Sequence, residues 1–285
     1  MLIIKTIQEY RNQLVKTKKE HATIGFAPTM GALHEGHLSL IRRSKEVNSL
    51  SVCSIFVNPT QFNDPKDFEK YPQTIEADIA LLVKEKCDIL FLPDVKEMYP
   101  DGMGNTGKID FGFSAKTLEG EFRPGHFDGM AQIVEKLLLA VMPDNLYMGQ
   151  KDFQQAMIVS LLIKKRKLPI HLEVCPIKRE KSGLAMSSRN TRLNANDLLI
   201  AAELYKTLKA VKSQIKKEQI TSTAQAEAAA QKRLQKFNSI KLEYFSWRKV
   251  TTLKPIAATP LSEQSVLLIA AWIGGVRLID NVLID

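Results

Sequence analysis

Short apolar runs alternate with amphipathic segments through the first two-thirds of this 285-residue chain. The apolar runs have the length of buried strands, and the segments between them have helical spacing. Strands that alternate with helices form βαβ units, in which the strands are parallel. The alternation therefore predicts an α/β fold built on a mostly parallel, doubly wound sheet. The predicted strands are residues 22–28, 51–57, 88–93, 145–149 and 171–176, and the predicted helices are residues 36–48, 74–86, 130–141 and 152–165.

The pattern changes after about residue 180, where helices come first and strands follow. Asn194 is a predicted helix N-cap, with Asp197 three residues on, ahead of a helix over residues 198–215. Helices followed by strands predict a second, smaller α+β domain. We place the two domains at residues 1–178 and 179–285. The candidate strands of the smaller domain are residues 241–250, 266–274 and 277–284.

Composition and charge limit the class of function. The net charge is +9, but lysines recur at helical spacing over residues 206–216, which favours a solvated helix face over a nucleic-acid surface. The three cysteines are expected to be small buried side chains in a reducing compartment. No signal-peptide pattern is present, and the longest apolar run, residues 266–276, is too short to span a bilayer. We therefore expect a cytoplasmic protein without a membrane or nucleic-acid partner.

The stretch PTMGALHEGH (residues 28–37) follows a predicted strand and leads into a predicted helix. In a doubly wound sheet, ligands bind at the carboxyl ends of strands, and helix N-termini attract anions. His34 and His37 are three residues apart, so both are expected on one face of the first helical turn, where they can donate hydrogen bonds to a polyphosphate. A helix cap and a metal site are the other interpretations, although the i, i+3 spacing differs from that of a zinc-protease helix.

Two further stretches have the chemistry of phosphate sites. GQKDFQQ (residues 149–155) follows another predicted strand, and Lys151 there can act as a compact positive charge on a phosphate. Asp152 can hold a ribose hydroxyl or cap the helix. AMSSRN (residues 185–190) offers two hydroxyls and the bidentate guanidinium of Arg189 at the domain junction. We expect this third stretch to act as a mobile loop that closes over phosphates.

A fourth pattern, GMGNTG (residues 102–107), matches GxGxxG without its structural context. It follows MYPD rather than a strand, and KIDFGF after it is not a helix. The dinucleotide-binding motif requires both neighbours, so we predict a flexible loop instead. The chain also contains no Walker A sequence, which excludes a P-loop enzyme.

Five stretches occur in one order along the chain, namely PTMGALHEGH, FVNPTQF (residues 56–62), RPGHF (residues 123–127), GQKDFQQ and AMSSRN. Together they closely resemble the pantoate–β-alanine ligase family, over essentially the whole chain. HEGH and MSSR resemble the signatures of the wider HxGH nucleotidyltransferase superfamily. The resemblance implies a Rossmann-like first domain, a smaller domain that closes over the site, and a homodimer that uses ATP and Mg²⁺. One departure is Ser182, where the family often has Asp, and it concerns the closing loop.

The resemblance also implies a set of site residues. His37 is assigned the acid role, and His34, Lys151 and Arg189 join it as catalytic residues. The residues implied to bind ATP are Met30, Gly31, Ala32, Leu33, His34, Glu35, Gly36, His37, Gly149, Gln150, Lys151, Asp152, Lys178, Met186, Ser187, Ser188 and Arg189. The residues implied to bind pantoate are Gln61, Gln155, Met130, Ile133 and Val134, the last three as an apolar wall for the gem-dimethyl group. Gln61 also borders the implied β-alanine site. No residue is assigned as a metal ligand, although Asp78 is a candidate for Mg²⁺ independently of the resemblance.

The implied reaction joins pantoate to β-alanine through a pantoyl-adenylate and releases pyrophosphate and AMP. The nearest alternative is another HxGH adenylyltransferase, acting on a mononucleotide or on phosphopantetheine. That alternative gives no reason for the paired glutamines Gln61 and Gln155. A tRNA synthetase would need room for a sizeable anticodon-binding domain after residue 180. A non-catalytic nucleic-acid-binding protein would explain the positive charge but none of the motifs at strand ends.

Overall fold

The computed structural model describes residues 1–17, 22–62, 68–103, 109–258 and 263–284. Most of the GMGNTG pattern, from residue 104 onward, lies outside the described residues. The chain divides into two compact units, Met1–Gln150 with Gln154–Pro176, and Lys151–Phe153 with Ile177–Asp285. Within the described ranges, no helix combines the length and the apolar character that a membrane span needs.

The first unit contains six strands and seven α-helices among the described residues. The strands are β1 (Leu2–Ile4), β2 (Ile24–Thr29), β3 (Leu50–Ile55), β4 (Ile89–Phe91), β5 (Asn145–Gly149) and β6 (His171–Cys175). The helices are α1 (Ile7–Thr17), α2 (Glu35–Val47), α3 (Ile75–Lys84), α4 (Val95–Met98), α5 (Glu119–Phe122), α6 (His126–Val141) and α7 (Phe153–Arg166). The apolar runs predict five of these strands. The sixth, β1, is a three-residue strand at the sheet edge, too short to show a pattern.

The six strands form one parallel sheet in the order β1-β4-β3-β2-β5-β6. Gly25 on β2 pairs with Ser51 on one side and with Asn145 on the other. The strand order therefore reverses at β2, because the chain builds outward through β3 and β4 before it returns to place β5 against β2. In such sheets the ligand crevice lies outside the carboxyl ends of the strands at the reversal. The predicted doubly wound parallel sheet is confirmed.

Successive residues of the central strands face opposite sides of the sheet, as the period of a strand requires. Phe26 and Val52 lie in the larger apolar cluster, with α6 and α7, whereas Ala27 and Cys53 lie in a smaller cluster with α2 and α3. Each fully buried large apolar side chain stabilises the fold by roughly 1.5–3 kcal/mol. All three cysteines are buried, as predicted. Burial raises the pKa of the Cys53 thiol well above its ordinary value, which keeps it unreactive.

The second unit contains two long helices followed by three strands, and the predicted α+β organisation is confirmed. They are α8 (Ala195–Lys216), α9 (Thr223–Leu234), β7 (Ile240–Lys249), β8 (Ser265–Ile273) and β9 (Val276–Ile284). The strands form an antiparallel sheet in the order β7-β8-β9. Asn194 caps α8 as predicted, because its side-chain oxygen accepts the main-chain N–H of Asp197 at 2.9 Å.

Candidate active site

A buried carboxylate holds the turn between β2 and α2. Asp78, which is only 1% exposed on α3, accepts the main-chain N–H of Ala32 at 2.9 Å and that of Leu33 at 2.8 Å. Ala32 has a φ of +49°, a conformation that costs energy for a residue with a Cβ. The two hydrogen bonds offset that cost and fix the path of the turn. This turn lies at the carboxyl end of β2, where the strand order reverses.

The turn brings two imidazoles together at the start of α2. His34 is the N-cap, and its Nδ1 accepts the main-chain N–H of Gly36 at 3.1 Å. The Nδ1 of His37 accepts the main-chain N–H of His34 at 3.4 Å, and the two ring centroids lie 4.1 Å apart. A ring nitrogen that accepts a hydrogen bond carries no proton, so each Nε2 carries one and is a donor. The two imidazoles lie together on one face of the first turn of α2, as expected. The helix-cap interpretation of His34 is also correct.

Gln61 lies in direct contact with the first motif. It ends a 3₁₀ turn, Pro59–Gln61, and its Nε2 lies 2.6 Å from the sulfur of Met30. Its main-chain oxygen accepts the Nδ1–H of His126 at 3.0 Å. Three of the five stretches are thus brought together within the first unit, as their resemblance to one family implies. They are FVNPTQF, PTMGALHEGH and RPGHF.

The turn that carries Gln61 packs closely on the start of α6. Asn58, which is buried, donates from Nδ2 to the main-chain oxygen of Gly129 at 3.2 Å and accepts the Tyr99 hydroxyl at 2.7 Å. A Cβ at position 129 would lie 2.2 Å from the main-chain oxygen of Thr60, so only glycine allows this approach. None of these supporting residues was predicted as a site residue, although Asn58 and Thr60 both lie within FVNPTQF.

Helix α6 also carries the three residues expected to form an apolar wall. Met130, Ile133 and Val134 lie at i, i+3 and i+4 and are all buried in the larger apolar cluster. Their spacing places them on one face of the helix. Their contact with pantoate stays a prediction.

The two adjacent glutamines of GQKDFQQ have different surroundings. Gln154 is buried, accepts the main-chain N–H of Glu119 at 3.1 Å and donates to the main-chain oxygens of Ser114 and Thr117 at 2.7 and 2.8 Å. It therefore holds the segment before α5. Gln155 is half-buried on α7 and points about 100° away around the helix, because a helix has 3.6 residues per turn. The assignment of Gln155, rather than Gln154, to substrate agrees with these surroundings and stays a prediction.

Of the remaining predicted residues, Gly149 and Gln150 belong to the first unit, and the others belong to the second. The ammonium of Lys151 lies 3.5 Å from the carboxylate of Asp152. Ser187 caps a short 3₁₀ helix by accepting the main-chain N–H of Arg189 at 3.3 Å. Met186 donates its main-chain N–H to the oxygen of Lys178 at 3.0 Å, so these two positions are neighbours across a hairpin.

The described residues contain no group of three or more His, Cys, Asp or Glu side chains arranged to hold a metal ion. Asp78, the candidate Mg²⁺ ligand, uses one oxygen for Ala32 and the other for Leu33. It acts in this structure as a support for the turn.

A doubly wound parallel sheet with a paired-histidine turn at its strand reversal defines an α/β nucleotide-binding protein of the HxGH type. The comparisons with known proteins narrow this class. The family model described as pantoate-beta-alanine ligase matches residues 2–283. Pantothenate synthetase of Cytophaga hutchinsonii is 45% identical over 100% of this chain and 99% of that protein. The corresponding protein of Caldicellulosiruptor saccharolyticus is 41% identical over 100% of both.

Solved structures agree with these relatives. The crystal structure of pantothenate synthetase from Thermus thermophilus is 35% identical, with a TM-score of 0.90 and 99% of each chain covered. Pantoate-beta-alanine ligase from Francisella tularensis, complexed with beta-gamma ATP and beta-alanine, is 37% identical, with a TM-score of 0.79 over 99% of this chain and 97% of that one. The chain belongs to the pantoate–β-alanine ligase family and is an enzyme of the ligase class.

Proposed function

We propose that this enzyme condenses pantoate with β-alanine at the expense of ATP and gives pantothenate, AMP and pyrophosphate. The observation that carries the proposal is the family match over residues 2–283. The Francisella tularensis relative, complexed with beta-gamma ATP and beta-alanine, supports two of the three substrates. The paired glutamines Gln61 and Gln155 favour this reaction over adenylyl transfer to a mononucleotide or to phosphopantetheine.

The first step forms the pantoyl-adenylate. A carboxylate oxygen of pantoate attacks the α-phosphorus of ATP, and the bond from that phosphorus to the β-phosphate oxygen breaks to release pyrophosphate. His34 and His37 donate from their Nε2 atoms to phosphate oxygens, and His37 has the acid role. Lys151 and Arg189 stabilise the negative charge on the same phosphates. Catalysis in this step is positioning and electrostatic stabilisation, so no protein nucleophile is required.

The second step forms the amide. The neutral amine of β-alanine attacks the acyl carbon of the adenylate, the bond to the phosphate oxygen breaks, and AMP leaves while the nitrogen loses a proton. The adenylate would hydrolyse if water reached it, so this step needs water to be excluded. We propose that the segment Met186 to Arg189, in the smaller domain, closes over the phosphates.

We propose that Gln61 and Gln155 hold pantoate, with Met130, Ile133 and Val134 against its methyl groups, and that Gln61 also contacts β-alanine. The nucleotide is bound by residues 30–37, by residues 149–152, by the main chain at Lys178 and by residues 186–189. The ATP carries Mg²⁺ as part of the substrate. We further propose that the enzyme is a cytoplasmic homodimer.

Exchange of radiolabelled pyrophosphate into ATP tests the proposal without β-alanine. We expect exchange that depends on pantoate, because the first step is reversible while the adenylate stays bound. Nicotinamide mononucleotide and phosphopantetheine serve as the comparison substrates. Exchange that one of these two supports, while pantoate does not, would overturn the proposal in favour of an adenylyltransferase.

A further inference from the structure

Strand β9 contacts the main chain of the proposed catalytic lysine. Asn281, which is 1% exposed, donates from Nδ2 to the main-chain oxygen of Lys151 at 3.0 Å. The two residues are 130 positions apart in the sequence, and both belong to the second unit. A single buried amide therefore fixes the peptide from which the Lys151 side chain extends.

The neighbouring residue on β9 binds a second element of the same unit. Asp280 forms a bidentate ion pair with Arg179, with nitrogen–oxygen distances of 2.6 and 2.9 Å. The guanidinium carbon of Arg179 also lies 3.7 Å from the ring centroid of Tyr205 on α8. A bidentate guanidinium stacked on a ring has little freedom to rotate. Burial raises the pKa of Asp280, and Arg179, the main-chain N–H of Asn281 and the charge of Lys151 oppose that rise.

Arg179 in turn fixes the hairpin that leads to Ser187 and Arg189. Its Nη1 donates to the main-chain oxygen of Gly183 at 3.1 Å. The hairpin is closed by the main-chain bond from Met186 to Lys178 at 3.0 Å. Gly183 has a φ of +93°, and a Cβ there would lie 2.7 Å from the Tyr205 ring, so the hairpin rests directly on α8.

We propose that Arg179, Asp280 and Asn281 form one positioning cluster that fixes Lys151 and the segment Met186 to Arg189 relative to each other for adenylate formation. None of the three is assigned to substrate. They act through Lys151 and Arg189, so this inference rests on the function proposed for those two residues. The two phosphate-binding stretches of the second unit are thereby supported by adjacent residues of one strand.

Asn281→Leu tests the cluster most directly, because leucine has the same number and branching of side-chain heavy atoms and no donor. We expect the maximal rate of pantoate-dependent pyrophosphate exchange to fall on the order of 10- to 100-fold, since a small displacement of a catalytic group has effects of that size. The KM values for ATP and pantoate should change by no more than about twofold, because a group that acts in the transition state affects kcat. The reaction of supplied pantoyl-adenylate with β-alanine should keep its rate.

A double variant separates positioning from a general loss of structure. The double variant with Lys151→Ala and Asn281→Leu should catalyse pyrophosphate exchange no more slowly than Lys151→Ala alone. The reason is that the Asn281 side chain acts only through Lys151. Additive losses, or equal losses in both half-reactions of Asn281→Leu, would overturn the cluster. Should Asn281→Leu fail to fold, Arg179→Lys tests the cluster from the hairpin, since it keeps the charge and removes the bidentate pair. Combined with Arg189→Ala, it should slow pyrophosphate exchange no further than Arg189→Ala alone.

Lys212→Met is the matched control. Lys212 on α8 also donates a side-chain hydrogen bond to the main chain near β9, from Nζ to the oxygen of Leu283 at 2.6 Å. This variant loses a comparable bond two residues from Asn281 and should keep the wild-type exchange rate. A wild-type enzyme without pantoate-dependent exchange would refute the proposed function, whereas normal exchange in both the wild type and Asn281→Leu would refute only the cluster.

Discussion

The carboxyl ends of the parallel strands form one side of the sheet, the carboxyl edge, and their amino ends form the other, the amino edge. At each of them an aspartate accepts hydrogen bonds from a neighbouring segment, but with different consequences. At the carboxyl edge, Asp78 accepts two main-chain N–H groups, those of Ala32 and Leu33. At the amino edge, Asp88 accepts the main-chain N–H and the hydroxyl of Ser51, both at 2.8 Å. The carboxyl edge is where ligands bind in doubly wound sheets. A carboxylate there controls the geometry of the turn that carries His34 and His37, whereas its counterpart at the other edge joins two strands and pairs with Lys45 of α2.

Lys151→Ala should give the largest effect, because Lys151 lies two residues beyond the carboxyl end of β5. We expect adenylate formation to slow by a factor of about 10²–10³, the cost of removing one preorganised donor, or ~2.7–4 kcal/mol of barrier. The fold should persist, since the side chain is not part of either core. Pyrophosphate release and thermal melting with and without ATP measure the two effects. Near-normal turnover would refute the role given to Lys151.

Asp78→Asn tests the support at the carboxyl edge. The amide keeps one acceptor but turns an N–H group toward a main-chain N–H, so we expect a loss of about 1–3 kcal/mol in the free energy of unfolding. Exchange should also slow by roughly tenfold, since each displaced imidazole loses alignment with the phosphates. Urea unfolding and exchange measured on one preparation show both effects. Exchange at the wild-type rate in a destabilised protein would mean that the turn does not need this carboxylate.

Gly129→Ala tests the contact between α6 and the turn of Gln61. The added methyl would lie 2.2 Å from the Thr60 oxygen, so helix and turn must separate. We expect a loss of about 1–3 kcal/mol in the free energy of unfolding, the usual cost of overpacking. The KM for pantoate should rise several-fold, while the KM for ATP should stay within about twofold. An unchanged KM for pantoate would argue against Gln61 as a pantoate ligand.

Asp88→Asn should give the smallest effect and is the matched control for Asp78→Asn. One amide oxygen can still accept from Ser51, so we expect a loss of about 0.5–1.5 kcal/mol in the free energy of unfolding. Exchange should proceed at the wild-type rate, because the proposed substrate site lies at the carboxyl edge. A tenfold slower exchange here would remove the distinction between the two edges.

Local patterns in the sequence were sufficient for the architecture of both units. Apolar runs of strand length and the N-cap at Asn194 predict elements that the structure contains. The helices α1, α4 and α5 were not predicted. Neither was β1, whose three residues pair at the sheet edge with Leu2 and Ile3 exposed. Such a strand is defined by its partner β4 and leaves no periodic signal of its own.

The site also contains residues that local patterns predict and residues that they do not. His34 and His37 lie three residues apart, so their common face is a local property that the spacing predicts. Asp78 is 46 residues from Ala32, and Asn281 is 130 residues from Lys151. Supports of this kind depend on which strands and helices become neighbours after folding. A single sequence without a known topology therefore cannot identify them.

Transfer of oxygen-18 from pantoate to AMP tests the central claim, that the carboxylate itself attacks the α-phosphorus. Pantoate labelled in its carboxylate is incubated with ATP, β-alanine and enzyme, and the AMP and pyrophosphate are examined by mass spectrometry. Our account predicts one labelled oxygen in the phosphate of AMP and none in pyrophosphate. Unlabelled AMP, with pantothenate still formed, would contradict it.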